Sequence, residues 1–206
     1  MTVSPVLEPF GDAAWRVRLP EGANGRAVLE GLRGLAGVID AVVCERHALV
    51  TFDPAAPPEG LSAAVERWLA TPAMAGGSSP REHLVRVRYD GVDLGDVARA
   101  ASLSPSDVAT RHASGRYVVA SIGFLPGFAY LRGLDPRLLV PRRASPRTRV
   151  PVRSVAVAGP YTGVYPFASP GGWSLIGSAV DFAPFDPRSG AALELGDHVC
   201  FVAVTT

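Results

Sequence analysis

The chain has 206 residues, 48% of them hydrophobic, enough to bury a core in one large domain or two small ones. Its formal net charge of +1 argues against nucleic acid as the main partner. All 20 basic residues are arginine, which excludes a lysine Schiff base and the lysine of a phosphate-binding loop and favours bidentate binding wherever an anion is held.

In chain order, Ala14–Leu19 reads as a strand. A helix follows from Asn24 to Ala36, with Val28, Leu32 and Leu35 on one face and Gly37 as its stop. Val38–Cys44 and Ala48–Phe52 are apolar runs joined by Glu45-Arg46-His47, a hairpin pattern. Leu61, Val65, Trp68 and Leu69 mark a second helix. This order is that of a small ferredoxin-like α/β domain, expected over 1–78. Its last strand is His83–Arg88, unless that strand opens the second domain. Thr71–Pro80, rich in glycine, serine and proline, is the expected linker.

Beyond it, Leu94, Val97, Ala98 and Ala101 share a helical face. The next helix has an explicit start: Ser104 as cap, Pro105 at the first position and Asp107 three residues after the cap. It is expected to run to about His112, and Ser114-Gly115 ends it. Strands are expected at Arg116–Ile122, Ser154–Ala158, Trp173–Ile176 and His198–Val204, with long proline- and glycine-rich stretches between them. Many short strands and few helices predict a closed β-barrel over 79–206 whose loops hold the site.

Cys44 and Cys200 form no metal or redox pattern and read as small buried side chains in a reduced compartment. No signal segment and no run of 18 apolar residues is visible, so a cytoplasmic protein without membrane contact is expected.

Two blocks stand out between 122 and 177. The first is Ile122-Gly123-Phe124-Leu125-Pro126-Gly127-Phe128-Ala129-Tyr130-Leu131. The second runs from Ala158-Gly159-Pro160 through Thr162-Gly163-Val164-Tyr165-Pro166 to Ser169-Pro170-Gly171-Gly172-Trp173. Pro126-Gly127 and Pro170-Gly171 each suit the centre of a type II turn. Phe124, Phe128 and Tyr130 either line a concave pocket or fill the barrel core. Among the arginines of 132–153, most read as a solvated run. Arg142 and Arg147, held between Pro141, Pro146 and Pro151, are the candidates for an anion clamp. His112 at a helix C-terminus is the candidate acid, because that position stabilises a protonated imidazole; it also reads as a simple cap. Thr162, Tyr165 and Ser169 offer hydroxyls near rigid turns, with no base visibly paired to them.

These blocks carry a resemblance. Gly123–Leu131, Pro141-Arg142-Arg143-Ala144-Ser145-Pro146-Arg147-Thr148-Arg149-Val150-Pro151, Ser154–Gly159, Thr162–Pro166 and Ser169–Trp173 resemble the B subunit of the bacterial ATP-dependent 5-oxoprolinase. The same family is labelled allophanate hydrolase subunit 1 and includes an inhibitor of a sporulation histidine kinase. The resemblance implies a cyclophilin-like barrel behind the N-terminal domain. It also implies a homologue of the 5-oxoprolinase C subunit and a third subunit as partners, and ATP used by the assembly to open 5-oxoproline to L-glutamate. The candidate site residues are His112 as the catalytic group and Phe124, Pro126, Phe128, Tyr130, Arg142, Arg147, Thr162, Tyr165, Ser169 and Trp173 as substrate contacts. Two other functions stay open: a module that inhibits a sensor histidine kinase, and a subunit acting on a urea-derived amide. The chain departs from the pattern at Ser178-Ala179, where Arg-Thr is expected, and at Ala100-Ala101-Ser102, where His-Asn-Gly is expected.

Overall fold

A computed structural model describes residues 7–21, 23–56, 60–70 and 79–205. The chain divides into two compact units, Met1–Ser79 and Pro80–Thr206. Residues 71–78 of the expected linker lie outside the described residues.

The first unit contains β1 (Leu7–Pro9), β2 (Ala14–Arg18), α1 (Gly25–Arg33), β3 (Val38–Cys44), β4 (His47–Phe52) and α2 (Leu61–Leu69). Its strands run antiparallel in the order β1-β2-β4-β3. Asn24 caps α1, its Oδ1 accepting from the N–H groups of Arg26 and Ala27 at 3.1 and 3.2 Å. The helix ends at Arg33, earlier than expected, and Gly37 at φ +85° turns the chain into β3. Glu45, at φ +53°, forms the expected hairpin bend. Ala41 and Val43 on β3 face inward with Ala48, Val50 and Phe52 on β4, an alternation of period two. At Gly31 the two helices touch so closely that a Cβ would sit 2.0 Å from the Trp68 ring. Of the two placements open for the strand after α2, the second holds: Glu82–Arg88 belongs to the second unit. The edge beside β2 is taken by β1.

The second unit comprises β5 (Glu82–Arg88), α3 (Leu94–Ala101), α4 (Pro105–Ser114), β6 (Arg116–Ile122), β7 (Ala129–Arg132), β8 (Arg147–Val150), β9 (Ser154–Ala158), β10 (Tyr161–Val164), β11 (Ser169–Gly171), β12 (Ser174–Ala179), β13 (Phe185–Asp186), β14 (Gly190–Ala191) and β15 (His198–Ala203). Seven strands in the order β6-β15-β5-β12-β9-β10-β7 close into a barrel when β7 pairs back onto β6. All these pairs are antiparallel except β5 with β15. The fold is thus mixed α+β with a seven-stranded closed barrel. The α4 start is the expected one, with reciprocal bonds between Ser104 and Asp107 and Pro105 at the first position.

β9 shows how the unit sorts its side chains. Val155 and Val157 face the main core with Val85, Val119, Val199 and Phe201, which α3 and α4 extend with Val97 and Val108. Ala156 and Ala158 face the other way, under a second cluster of Phe128, Tyr165, Trp173, Val150 and Leu175. The two-stranded sheet of β8 and β11 supplies part of that cover. Cys44 is exposed and Cys200 half-buried, so the expectation of two buried thiols is corrected.

Asp197, fully buried ahead of β15, locks the start of β5 to the turn before β15. It accepts from the Arg81 backbone N–H at 3.0 Å, from Arg81 Nη2 at 2.9 Å and from the Glu194 N–H at 2.9 Å, and it pairs with His83 Nε2 at 3.0 Å. Burial raises its carboxyl pKa, but the bonds from Arg81, Glu194 and His83 outweigh that and hold it well below the ordinary 3.8. A depressed folded pKa gives stability that is present above pH 3.8 and lost as pH falls through the folded value. Asp197→Asn should therefore cost about 2–3 kcal/mol at neutral pH. The cost should shrink progressively below about pH 4, as read from urea unfolding at a series of pH values.

Candidate functional site

The first sequence block forms the turn that its chemistry predicts. Phe128 N–H donates to Leu125 O at 2.9 Å, and Gly127 takes φ +78°. The two phenylalanine rings beside this turn meet edge to face, 5.6 Å between centroids, but differ in burial. Phe128 is 1% exposed, whereas Phe124 is 59% exposed and held at φ +72°. A positive φ on a bulky residue is strained, and such strain persists only where the surroundings enforce it. Pro126 stays exposed at the turn.

The second block does not form a second turn of this kind. Pro170 and Gly171 lie in β11, paired with β8 across a register shift between Ser169 and Gly171, and Gly171 has no positive φ. An edge strand with an irregularity tolerates proline. Gly171 serves close approach instead: a Cβ there would sit 2.4 Å from the Tyr165 hydroxyl.

Pairing of β7 with β10 brings the two blocks together. Phe128 makes edge-to-face contacts with Tyr130, Tyr165 and Trp173 at centroid distances of 5.1, 5.2 and 5.3 Å. Above this cluster opens a cavity of about 210 Å³. It is lined by the rings of Phe124, Phe128, Tyr130, Tyr165 and Trp173 together with Arg142, Pro146, Pro170, Gly171 and Gly172. Phe128 thus belongs to the second cluster and lines the cavity as well, and none of the three rings Phe124, Phe128 and Tyr130 lies in the main core of the barrel.

Arg142 is the sole charged side chain lining the cavity, and it is exposed with no carboxylate partner among the described residues. Burial pushes the Tyr165 hydroxyl pKa up, while a backbone hydrogen bond from Trp173 and the nearby charges of Arg142 and Arg147 pull it down. Arg147 is not a free clamp. Its Nη2 donates to Asp93 Oδ1 at 2.6 Å, alongside Arg143 Nη1 at 2.9 Å. Neither Asp93 nor Arg143 stands out in the sequence, because Asp93 lies some fifty residues from its arginines.

Thr162 and His112 sit elsewhere, in the main core. The Thr162 hydroxyl donates to Ala156 O at 3.0 Å, so its oxygen accepts from His112 Nε2–H at 2.8 Å. His112 Nδ1 then accepts from the Tyr89 hydroxyl at 2.7 Å. The imidazole is fully buried against Phe201, 4.5 Å between centroids, and burial lowers its pKa to about 3. The expected protonated histidine is corrected: desolvation outweighs the helix end, and the ring is neutral. Ser169 is buried, and its hydroxyl has no partner among the described residues.

The cavity can therefore stack a small planar group and meet an anion. Its lining holds no paired nucleophile and base. Among the described residues, no His, Cys, Asp or Glu cluster could hold a metal, and no helix is long and apolar enough to cross a membrane.

Residues 5–193 match the family model described as carboxyltransferase domain, subdomain C and D. The chain is 34% identical over 230 residues to the Bacillus subtilis (strain 168) protein named as the B subunit of 5-oxoprolinase, covering 100% of this chain and 95% of that protein. It is 44% identical over 138 residues to the Escherichia coli O157:H7 protein of the same name, covering 66% of this chain and 58% of that one. Among solved structures, TTHA0988 matches with a TM-score of 0.80 and 36% identity, over 94% of this chain and 40% of that longer chain. The urea amidolyase of K. lactis matches at TM-score 0.73 over 98% of this chain and 15% of that one; at 18% identity the likeness is one of fold alone.

Proposed function

This chain belongs to the carboxyltransferase-domain family of subdomains C and D, which includes the 5-oxoprolinase B subunits, and from that membership we propose that it is a non-autonomous subunit of an ATP-dependent 5-oxoprolinase. The observation that carries the reading furthest is the aromatic cavity with one free arginine at its wall. 5-Oxoproline is a flat five-membered lactam bearing one carboxylate. Its ring suits a lining of aromatic side chains, and its carboxylate suits Arg142. A cavity of about 210 Å³ lies below the range of sites for drug-sized ligands, so it favours a molecule of this size over a nucleotide. The reading accordingly places ATP elsewhere in the assembly. It includes a ferredoxin-like domain over 1–78, a cyclophilin-like barrel over 79–206, a cytoplasmic setting, and a homologue of the C subunit together with a third subunit as partners. A site that binds without a nucleophile–base pair needs other polypeptides to complete it, and the exposed Phe124 ring beside the cavity offers them a contact.

Co-purification with the partner subunits, followed by ATPase measurement, tests the reading. Hydrolysis should rise on adding 5-oxoproline, and the isolated chain should be inactive. Equal ATP turnover with and without 5-oxoproline would end the reading. In the same assay Arg142→Ala should raise the KM for 5-oxoproline about tenfold or more, as expected for losing one charge-assisted hydrogen bond. Circular dichroism should show an intact fold, because that side chain is exposed.

A further inference from the structure

Asp93 lies outside both sequence blocks, yet it anchors the cavity wall from behind. Its side chain is 3% exposed. Oδ1 accepts from Arg143 Nη1 at 2.9 Å and Arg147 Nη2 at 2.6 Å, and Oδ2 accepts from the Leu175 N–H at 2.7 Å. The Asp93 N–H returns a bond to Leu175 O at 3.0 Å. Gly91 permits this approach, since a Cβ there would meet Leu175 O at 2.3 Å. The Asp93 turn is thereby fixed to β12, two residues beyond Trp173.

Each arginine that Asp93 holds directly follows a lining residue in the chain, Arg143 after Arg142 and Arg147 after Pro146. Arg143 N–H also donates to Gly172 O at 2.8 Å, and Arg147 lies opposite Gly171 in the β8–β11 pair. Arg142 and Arg143 are neighbours with opposite fates: one exposed over the cavity, the other tied to a buried carboxylate. Arg143 Nε and Arg147 Nη1 are buried without an acceptor among the described residues, so Asp93 supplies the carboxylate both guanidiniums depend on. Taking that carboxylate away leaves two adjacent half-buried cations to repel each other and push the wall outward.

We infer that Asp93 is a positioning residue of the cavity: by holding Arg143 and Arg147 behind the wall it fixes Arg142 over the opening, and so makes the cavity select small carboxylates over their neutral analogues. The identity of the carboxylate rests on the function proposed above. The positioning does not.

Two measurements separate these claims. In the reconstituted complex, Asp93→Asn should raise the KM for 5-oxoproline about tenfold with kcat within about twofold, as for Arg142→Ala. The double variant should be no worse than Arg142→Ala alone, because one residue acts through the other. Inhibition by 2-pyrrolidinone, the same lactam without its carboxylate, should be unchanged. Additive effects, or equal weakening toward 2-pyrrolidinone, would make Asp93 a general structural residue and overturn the inference. Without any substrate, amide NMR of the isolated chain should show the resonances of Arg142, Gly171 and Gly172 shifted or broadened in Asp93→Asn, while Val155 and Val199 keep theirs. Unmoved Arg142 and glycine amides would overturn the inference whatever the ATPase shows. A wild-type complex indifferent to 5-oxoproline would sink the functional reading alone. If Asp93→Asn fails to fold, Arg143→Met keeps the Asp93–Arg147 pair and should give the same KM and amide changes.

Discussion

Phe128→Ala should destabilise the Pro80–Thr206 unit by about 3–5 kcal/mol, the usual range for deleting a large buried aromatic side chain. The ring is 1% exposed and meets four others edge to face: Phe124, Tyr130, Tyr165 and Trp173. Its removal leaves a void that those rings cannot all fill, because Tyr165 is held by a backbone bond from Trp173 and by contact with Gly171. Chemical denaturation followed by near-ultraviolet circular dichroism reads both the lost stability and the loosened aromatic packing. A cost under about 1 kcal/mol would show that the cluster repacks freely and that Phe128 is no keystone of the cavity.

Stability should also fall steeply in mild acid because of His112. Its folded pKa, about 3, lies below the ordinary 6.5, so the unfolded chain binds the proton that the folded chain refuses. Stability is therefore unaffected above pH 6.5 and drops by about 1.4 kcal/mol for each unit below it, down to about pH 3. Over that window the loss reaches about 5 kcal/mol, a large share of a domain's margin. His112→Gln should lower stability at neutral pH and flatten the slope between pH 6 and pH 4. A variant that kept the full wild-type slope would exonerate the imidazole.

The same residue shows where a sequence stops being legible. A histidine at a helix C-terminus is favoured in its charged form by about 0.3–1 kcal/mol, and by up to about 2 in the best cases. Complete burial opposes that with several times as much, and burial is a property of the assembled barrel that the helix does not reveal. Features with local causes were readable: the Ser104-Pro105-Asp107 start of α4, the Pro126-Gly127 turn and the Glu45 hairpin. Features caused at a distance were not. Pro170-Gly171 has turn chemistry but is recruited as a strand by β8. Gly163 looks like a breaker inside β10, yet glycine is required there because a Cβ would meet Ala129 O at 2.8 Å. In the candidate site, the rings and Arg142 could be named from the blocks themselves. Asp93, and the fact that it claims Arg147, could not, since nothing local joins an acid on one turn to arginines some fifty residues later.

The pairing of β15 between β5 and β6 has a consequence for how the molecule is made. A ribosome delivers residues 82–88 and 116–122 long before 198–203, so the ring of strands has a gap until β15 emerges. Contacts of such long range are slow to form, and until they do, two strand edges stand bare. Nascent chains stalled before residue 198 should be the species most prone to wrong pairings, and the ones that most need a chaperone.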